Sequence, residues 1–200
     1  IGDRTNELKL FRNVQGSLVP MPSLTTGAGT TKSILWADLD NDGDADLVTT
    51  KYQGKVHLFH NNGDGTFTDR TLNSGILQTT SKNSGASLGD YDRDGFLDLY
   101  VCTYIAQSEP FAYNKVSHLY HNNGDGTFTD VTVTSGTGPY MRASFQSMWL
   151  DADGDGWQDI FIINDFAGAN TLFRNNHDGT FTDIAVGVGL SEGPEHCMSI

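Results

Sequence analysis

The sequence predicts an all-β chain, a β-propeller of four-stranded antiparallel blades, with about three complete blades and partial blades at both ends. Three observations carry that expectation. One plan repeats three times, each repeat divides into four short strand-like runs, and the equivalent aspartates at 38, 90 and 151 stand 52 and 61 residues apart. A repeat of that length with four strands fits a propeller blade and not a helical repeat.

Each repeat opens with a short apolar stretch: Ser33 to Trp36, Ala86 to Leu88, or Ser147 to Leu150. An aspartate-rich loop follows. The second run is Leu47-Val48, Leu99-Tyr100-Val101 or Ile160 to Ile163, β-branched and aromatic and too short for an amphipathic helix. The third runs from Val56 to His60, His118 to His121 or Thr171 to Arg174, and ends in Asn-Asn. An Asp-Gly turn then leads into the fourth, which starts at Phe67, Phe128 or Phe181, a hairpin signal because glycine tolerates positive φ. Blades are expected at about 33–84, 85–146 and 147–195. Leu8 to Asn13 resembles the third strand of a partial blade over 1–32, and Cys197 to Ile200 resembles a first strand lacking its loop, in a partial strand over 196–200. The halves close a ring of four blades, or the chain is a segment of a larger propeller completed by further blades or a second chain. A start at Ile1 instead of Met suggests a processed chain or a piece of something longer.

Composition narrows the function. Twelve Lys and Arg face 25 Asp and Glu, a formal net charge of −13, which repels phosphate backbones and anionic membrane surfaces alike. No apolar run is long enough to span a bilayer. Cys102 and Cys197 are too few for a disulfide framework. The acids are not spread evenly, since 13 of the 25 fall within 38–46, 90–98 and 151–159.

Those windows share the pattern D-x-D-x-D-G-x-x-D. Carboxylates at positions 1, 3 and 5 can point into a tight turn, Gly at 6 permits the reversal, position 7 can offer a backbone carbonyl, and the Asp at 9 closes the cage. The candidate ligands are Asp38, Asp40, Asp42, Asp44 and Asp46; Asp90, Asp92, Asp94, Phe96 and Asp98; and Asp151, Asp153, Asp155, Trp157 and Asp159. Oxygen-only donors in a flexible cage favour Ca²⁺, giving three sites. Two carboxylates about 5 Å apart repel by roughly 3 kcal/mol at an effective dielectric near 20, so four without a counter-ion would strain the turn. An EF-hand needs Glu at position 12, where this chain has Thr49, Val101 and Ile162.

The plan resembles the FG-GAP/VCBS repeats of integrin-α-type propellers. Within them it is most similar to the ASPIC/UnbV group, the cartilage acidic protein group, through Asp90 to Tyr100, Leu119 to Thr132, and Asn164 to Ile184. That resemblance implies calcium in the loop between the first two strands of each blade and a seven-bladed propeller.

Because antiparallel strands reverse direction, the aspartate loops and Asp-Gly turns are expected on one face. The more variable linkers lie on the other, where a protein or carbohydrate partner would bind. Tyr104, Phe111 and Tyr113 in the longest insertion, with Tyr140 and Arg142, are the candidate contacts. His57, His60, His118 and His121 follow the repeat and read as blade packing or surface. The leading function is a calcium-stabilised extracellular or periplasmic interaction module, since such loops saturate at millimolar calcium. The alternative is a carbohydrate-active enzyme, a lyase or dehydratase working at the central channel, with His196 beside Glu192 and Glu195 as its nearest candidates. The sequence has no nucleophile elbow, Walker loop or HExxH.

Overall fold

A computed structural model describes residues 6–77, 81–105, 112, 116–138, 140, 142–165 and 170–190. The chain begins with a hairpin in which β1 (Glu7–Leu8) and β2 (Phe11–Val14) return as β3 (Ser17–Pro20) and β4 (Leu24–Thr25). Leu8 to Asn13, expected as a single third strand, is divided between β1 and β2, which pair with β4 and β3 in separate two-stranded sheets. Three four-stranded antiparallel blades follow: β5 (Thr30–Ala37), β6 (Asp46–Gly54), β7 (His57–Asn61) and β8 (Phe67–Asp69); β9 (Ser81–Gly89), β10 (Asp98–Thr103), β11 (His118–Asn122) and β12 (Phe128–Asp130); and β13 (Ser144–Leu150), β14 (Asp159–Asn164), β15 (Thr171–Asn175) and β16 (Phe181–Asp183).

The second strand of each blade is buried on both faces because neighbouring blades pack on either side of it, which is why β6, β10 and β14 read as continuous apolar runs. The cores therefore lie between blades. Val48, Leu58 and Ile76 of the first blade meet Leu99, Tyr120 and Phe128 of the second, whose Tyr100, Cys102 and Leu119 pack against Ile160, Phe173 and Phe181 of the third. A smaller cluster joins Leu8 and Leu10 of the hairpin to Leu47 and Phe59.

Backbone bonds fasten the rim. Phe128 N donates to Ser74 O and Phe181 N to Ser135 O, each at 2.7 Å. Gly75 and Gly136 make that approach possible, with φ of +77° and +78° and no room for a Cβ against the oxygens of Phe128 and Phe181. Nearer the axis, β6 extends past β7 to pair with the start of β9, Tyr52 opposite Lys82 and Gly54 opposite Ser81.

The first strands are longer than the apolar stretches that announce them, starting at Thr30, Ser81 and Ser144. Their upstream halves are small and polar, Ser81-Lys82-Asn83-Ser84-Gly85 for example, and are held by pairing with the second strand more than by their own propensity. Each carries a one-residue bulge at the same place, six residues before the first loop aspartate: Lys32, Ser84 and Phe145. The proposed strand at 196–200, with Cys197, His196, Glu192 and Glu195, lies outside the described residues, as do Phe111 and Tyr113.

Candidate functional site: the acidic loops

Each loop is wound by two left-handed residues. Position 4 has φ of 59° at Asn41, 61° at Arg93 and 80° at Gly154, and position 6 is Gly43, Gly95 or Gly156 at 95°, 93° and 86°. The turn aims backbone N–H groups at the carboxylates. Asp38 accepts from Asp42 N and Gly43 N at 3.1 and 2.9 Å, Asp90 from Gly95 N at 3.2 Å, and Asp151 from Gly156 N at 2.9 Å. Position 5 takes the N–H of position 7, at Asp44, Phe96 and Trp157.

Position 9 is the anchor. Asp46, Asp98 and Asp159 are 3%, 0% and 1% exposed, too dry for a carboxylate without several partners. One oxygen of each accepts the N–H of position 2, and the other that of Asn61, Asn122 or Asn175 at the end of the third strand, at 2.8 to 2.9 Å. Two of those asparagines also bind the preceding blade: Asn122 Nδ2 donates to Leu39 O and Asn175 Nδ2 to Tyr91 O, both at 2.8 Å, while Asn61 Nδ2 donates to Ala45 O of its own loop at 3.0 Å. Burial, with Asp92 and Asp94 nearby, pushes the Asp98 carboxyl up to about 8 against those two N–H bonds. Burial likewise raises Asp46 and Asp92.

The donor set fits a hard cation. Ligand oxygens of Asp90, Asp92 and Asp98 lie within 4.8 Å of one another, as do those of Asp151, Asp153 and Asp159. In the first loop the group that converges is Asp40, Asp42 and His60. Among the described residues, Asp40 Oδ1 and Asp90 Oδ1 are buried with no hydrogen-bond partner, the condition a cation would relieve. These acidic clusters could hold metal.

The histidines are the feature that sequence reasoning missed. His60 Nδ1 lies 3.2 Å from Asp46 and 3.3 Å from Asp40, and His121 Nδ1 lies 3.2 Å from Asp98 and 3.3 Å from Asp92. They are neither packing nor simple surface, but imidazoles set against the acids. The third blade has Arg174 at that register and brings its imidazole from the turn instead: His177 Nε2 meets Asp155 at 2.6 Å and stacks on Trp157 at 4.7 Å. Loops also touch in sequence around the face. Asn41 Nδ2 donates to Gly95 O, and Arg93 bonds Gly156 O while lying 4.3 Å over the Trp157 ring.

On the other face, Tyr104 Oη donates to Asp165 at 2.9 Å beside a cleft at the inner ends of the strands. Tyr140 and Arg142 are not brought there. Tyr140 stacks on Phe173 at 6.3 Å, and Arg142 bonds Thr171 and, at 3.1 Å, Asp183. Arg142 thus fills the place that His118 holds in the second blade, where it meets Asp130 at 3.1 Å. Among the described residues no helix is long and apolar enough to cross a membrane.

A family profile described as FG-GAP-like repeat matches residues 1–49, 38–101 and 151–200. The chain is 36% identical to human cartilage acidic protein 1 over 136 residues, 65% of this chain and 19% of that protein. It is 32% identical to mouse phosphatidylinositol-glycan-specific phospholipase D over 149 residues, 66% of this chain and 18% of that protein. With Xenopus laevis integrin alpha-4 the identity is 29% over 153 residues, 69% of this chain and 14% of that protein. The chain therefore spans about a fifth or less of these curated relatives. Among solved structures, an Agrocybe aegerita lectin described as recognising non-reducing terminal N-acetylglucosamine aligns with 96% of this chain and 50% of its own at a TM-score of 0.48 and 19% identity, a likeness too slight to argue from.

Proposed function

The chain belongs to the FG-GAP-like repeat family, and on that premise we propose that it is a calcium-braced interaction module working outside the cell or in the periplasm. The observation that carries the calcium reading is the pair of buried, unpartnered oxygens on Asp40 and Asp90, each within a cluster of converging ligand atoms, Asp40, Asp42 and His60 in one and Asp90, Asp92 and Asp98 in the other. Asp40, Asp42 and Asp46, Asp90, Asp92 and Asp98, and Asp151, Asp153 and Asp159 would hold the ions, with Asp38, Asp94 and Asp155 and the position-7 carbonyls of Asp44, Phe96 and Trp157 completing each set. The bound ion would supply the positive charge that lets these acids stay ionised in a tight turn.

The chain's own contribution is to link each cage to its neighbours. The position-9 carboxylate holds the end of the third strand, the asparagine there in the second and third blades holds the loop of the preceding blade, and ion affinity becomes folding energy. Three cages on one face leave the opposite face for a protein or glycan, as relatives with names such as integrin alpha-4 suggest for a module of this kind. Thermal unfolding tests the calcium reading: excess EGTA should lower the midpoint by at least about 5 °C, restored by calcium and not by magnesium. A midpoint indifferent to chelation rejects it.

A further inference from the structure

At the end of the strands away from the acidic loops, three copies of one template meet around a cleft of about 470 Å³. Its first position is the bulge of the innermost strand, occupied by Lys32, Ser84 and Phe145. Its second is the far end of the second strand, six residues beyond the buried loop aspartate, occupied by Tyr52, Tyr104 and Asp165. A bulge turns a side chain out of the ladder, so the fold presents one residue per blade to a shared space. On the loop face, the aspartates at positions 1, 3, 5 and 9 repeat one chemistry. Here equivalent positions hold a cation, a hydroxyl and a phenyl, then two phenols and a carboxylate.

The cleft is a built site. Gly85 lies on its floor because a Cβ there would sit 2.7 Å from Phe145 O, and Ser84 Oγ donates to Ser144 O at 2.6 Å, locking the second and third blades together. Phe145 stands edge-on to Tyr104 at 6.3 Å and 81°, and the Lys32 ammonium lies 5.6 Å from the centre of the Tyr52 ring. Tyr104 Oη fixes the Asp165 carboxylate. Burial and that acceptor push the phenol up to about 12, so it stays protonated at neutral pH, a donor and not a base.

We propose that this cleft binds one or two neutral pyranose residues of a glycan. Half-buried rings offer flat apolar surface for the C–H face of a sugar, while Asp165, Gln146 and the serine hydroxyls offer acceptors and donors for its hydroxyl groups. One lysine and one aspartate leave the cleft without net charge, and the chain's −13 disfavours an acidic ligand. The volume lies within the ~300–1,000 Å³ of ordinary small-ligand sites.

The proposal rests on the interaction-module reading and names its ligand. Its test is an array of neutral gluco-, galacto- and N-acetylhexosamine oligosaccharides beside sulfated glycans and acidic peptides, probed with the full chain in calcium and followed by calorimetry on any neutral hit. Asp165→Asn and Phe145→Ser, the latter copying the second blade, should each weaken binding at least about 10-fold while moving the thermal midpoint by less than about 2 °C. Should either variant unfold, titrating the native chain with the same sugar should shift the ring resonances of Phe145 and Tyr104. Retention of only sulfated glycans or peptides, affinity untouched by both variants, release of an unsaturated sugar product, or no retention by the folded chain would each overturn it. The EGTA midpoint on the same samples reads the calcium reading separately, because a chelator-insensitive chain that still binds sugar sinks the cages and keeps the cleft.

Discussion

The loop face and the axial cleft use the same three repeats and vary in opposite ways. At the loops both backbone and chemistry recur: the position-9 aspartate is buried in all three blades and always accepts from the N–H groups of position 2 and of the third-strand asparagine. At the cleft the bulge recurs while Lys32, Ser84 and Phe145 share no chemistry. The difference teaches that the fold depends on side-chain identity at one end of each blade and on backbone shape at the other. Apart from Ser84, which bonds Ser144 O, the bulge side chains carry no shared structural task, and that lets their chemistry diverge.

The strongest attempt to break that contrast is Asp98→Asn. The carboxylate accepts from Tyr91 N at 3.1 Å and Asn122 N at 2.9 Å in a site with no exposure. An amide can turn only one oxygen to those two donors and sets its NH₂ against the other. Loss of about 2–4 kcal/mol is expected in denaturant unfolding with calcium present. In excess EGTA the gap should narrow, since only the hydrogen bonds then separate the variant from the parent. An Asp98→Asn chain as stable as the parent in calcium would show that the recurring chemistry is not what holds the blades.

The same contrast explains what could be read from the sequence. The loops were legible because their chemistry recurs within nine residues, and the strands around them because buried runs such as Leu99-Tyr100-Val101 announce themselves. His60 and His121 recur as plainly, yet their meaning is topological: His60 reaches Asp46 fourteen residues earlier only because β7 lies beside β6. The cleft has no residue type in common among its copies, and its register emerges only once the bulges are seen. The place of Arg142 is likewise topological: it meets Asp183 as His118 meets Asp130 in the preceding blade, a pairing that its loop position does not announce.

That substitution is an intermediate case and gives a smaller prediction. At one register the blades carry His57, His118 and Thr171; His57 lies near Asp69 and His118 bonds Asp130, while in the third blade Arg142 bonds both Thr171 and Asp183, so the acid recurs and its partner changes. Burial would raise the Asp130 carboxyl, but hydrogen bonds from His118 and from Thr132 at 2.6 and 3.0 Å outweigh it and hold the group at about 2. A depressed carboxylate contributes stability that is present above its unfolded value near 3.8 and is lost as pH falls toward 2. The contribution is on the order of 2 kcal/mol. Asp130→Asn should remove it at neutral pH and flatten the stability profile between about pH 4 and 2, measured by urea unfolding across that range. An unchanged slope would assign the acid sensitivity elsewhere.

The smallest effect should come from rewriting the cleft. Lys32 is exposed, and as a bulge residue it stands outside the ladder that pairs Thr31 with Lys51 and Ser33 with Thr50. Lys32→Ser copies what the second blade carries at the same place, so the backbone is already known to accept it. The change gives up a half-solvated cation–π contact with Tyr52 worth about 0.5 kcal/mol, and the thermal midpoint should move by less than about 2 °C. Sugar affinity should respond more than stability, falling about 2- to 10-fold where the ammonium donates to a ligand hydroxyl. A stability loss approaching that of Asp98→Asn would mean that the axial side chains are structural after all, and that their variety reflects three different packing solutions instead of one surface for recognition.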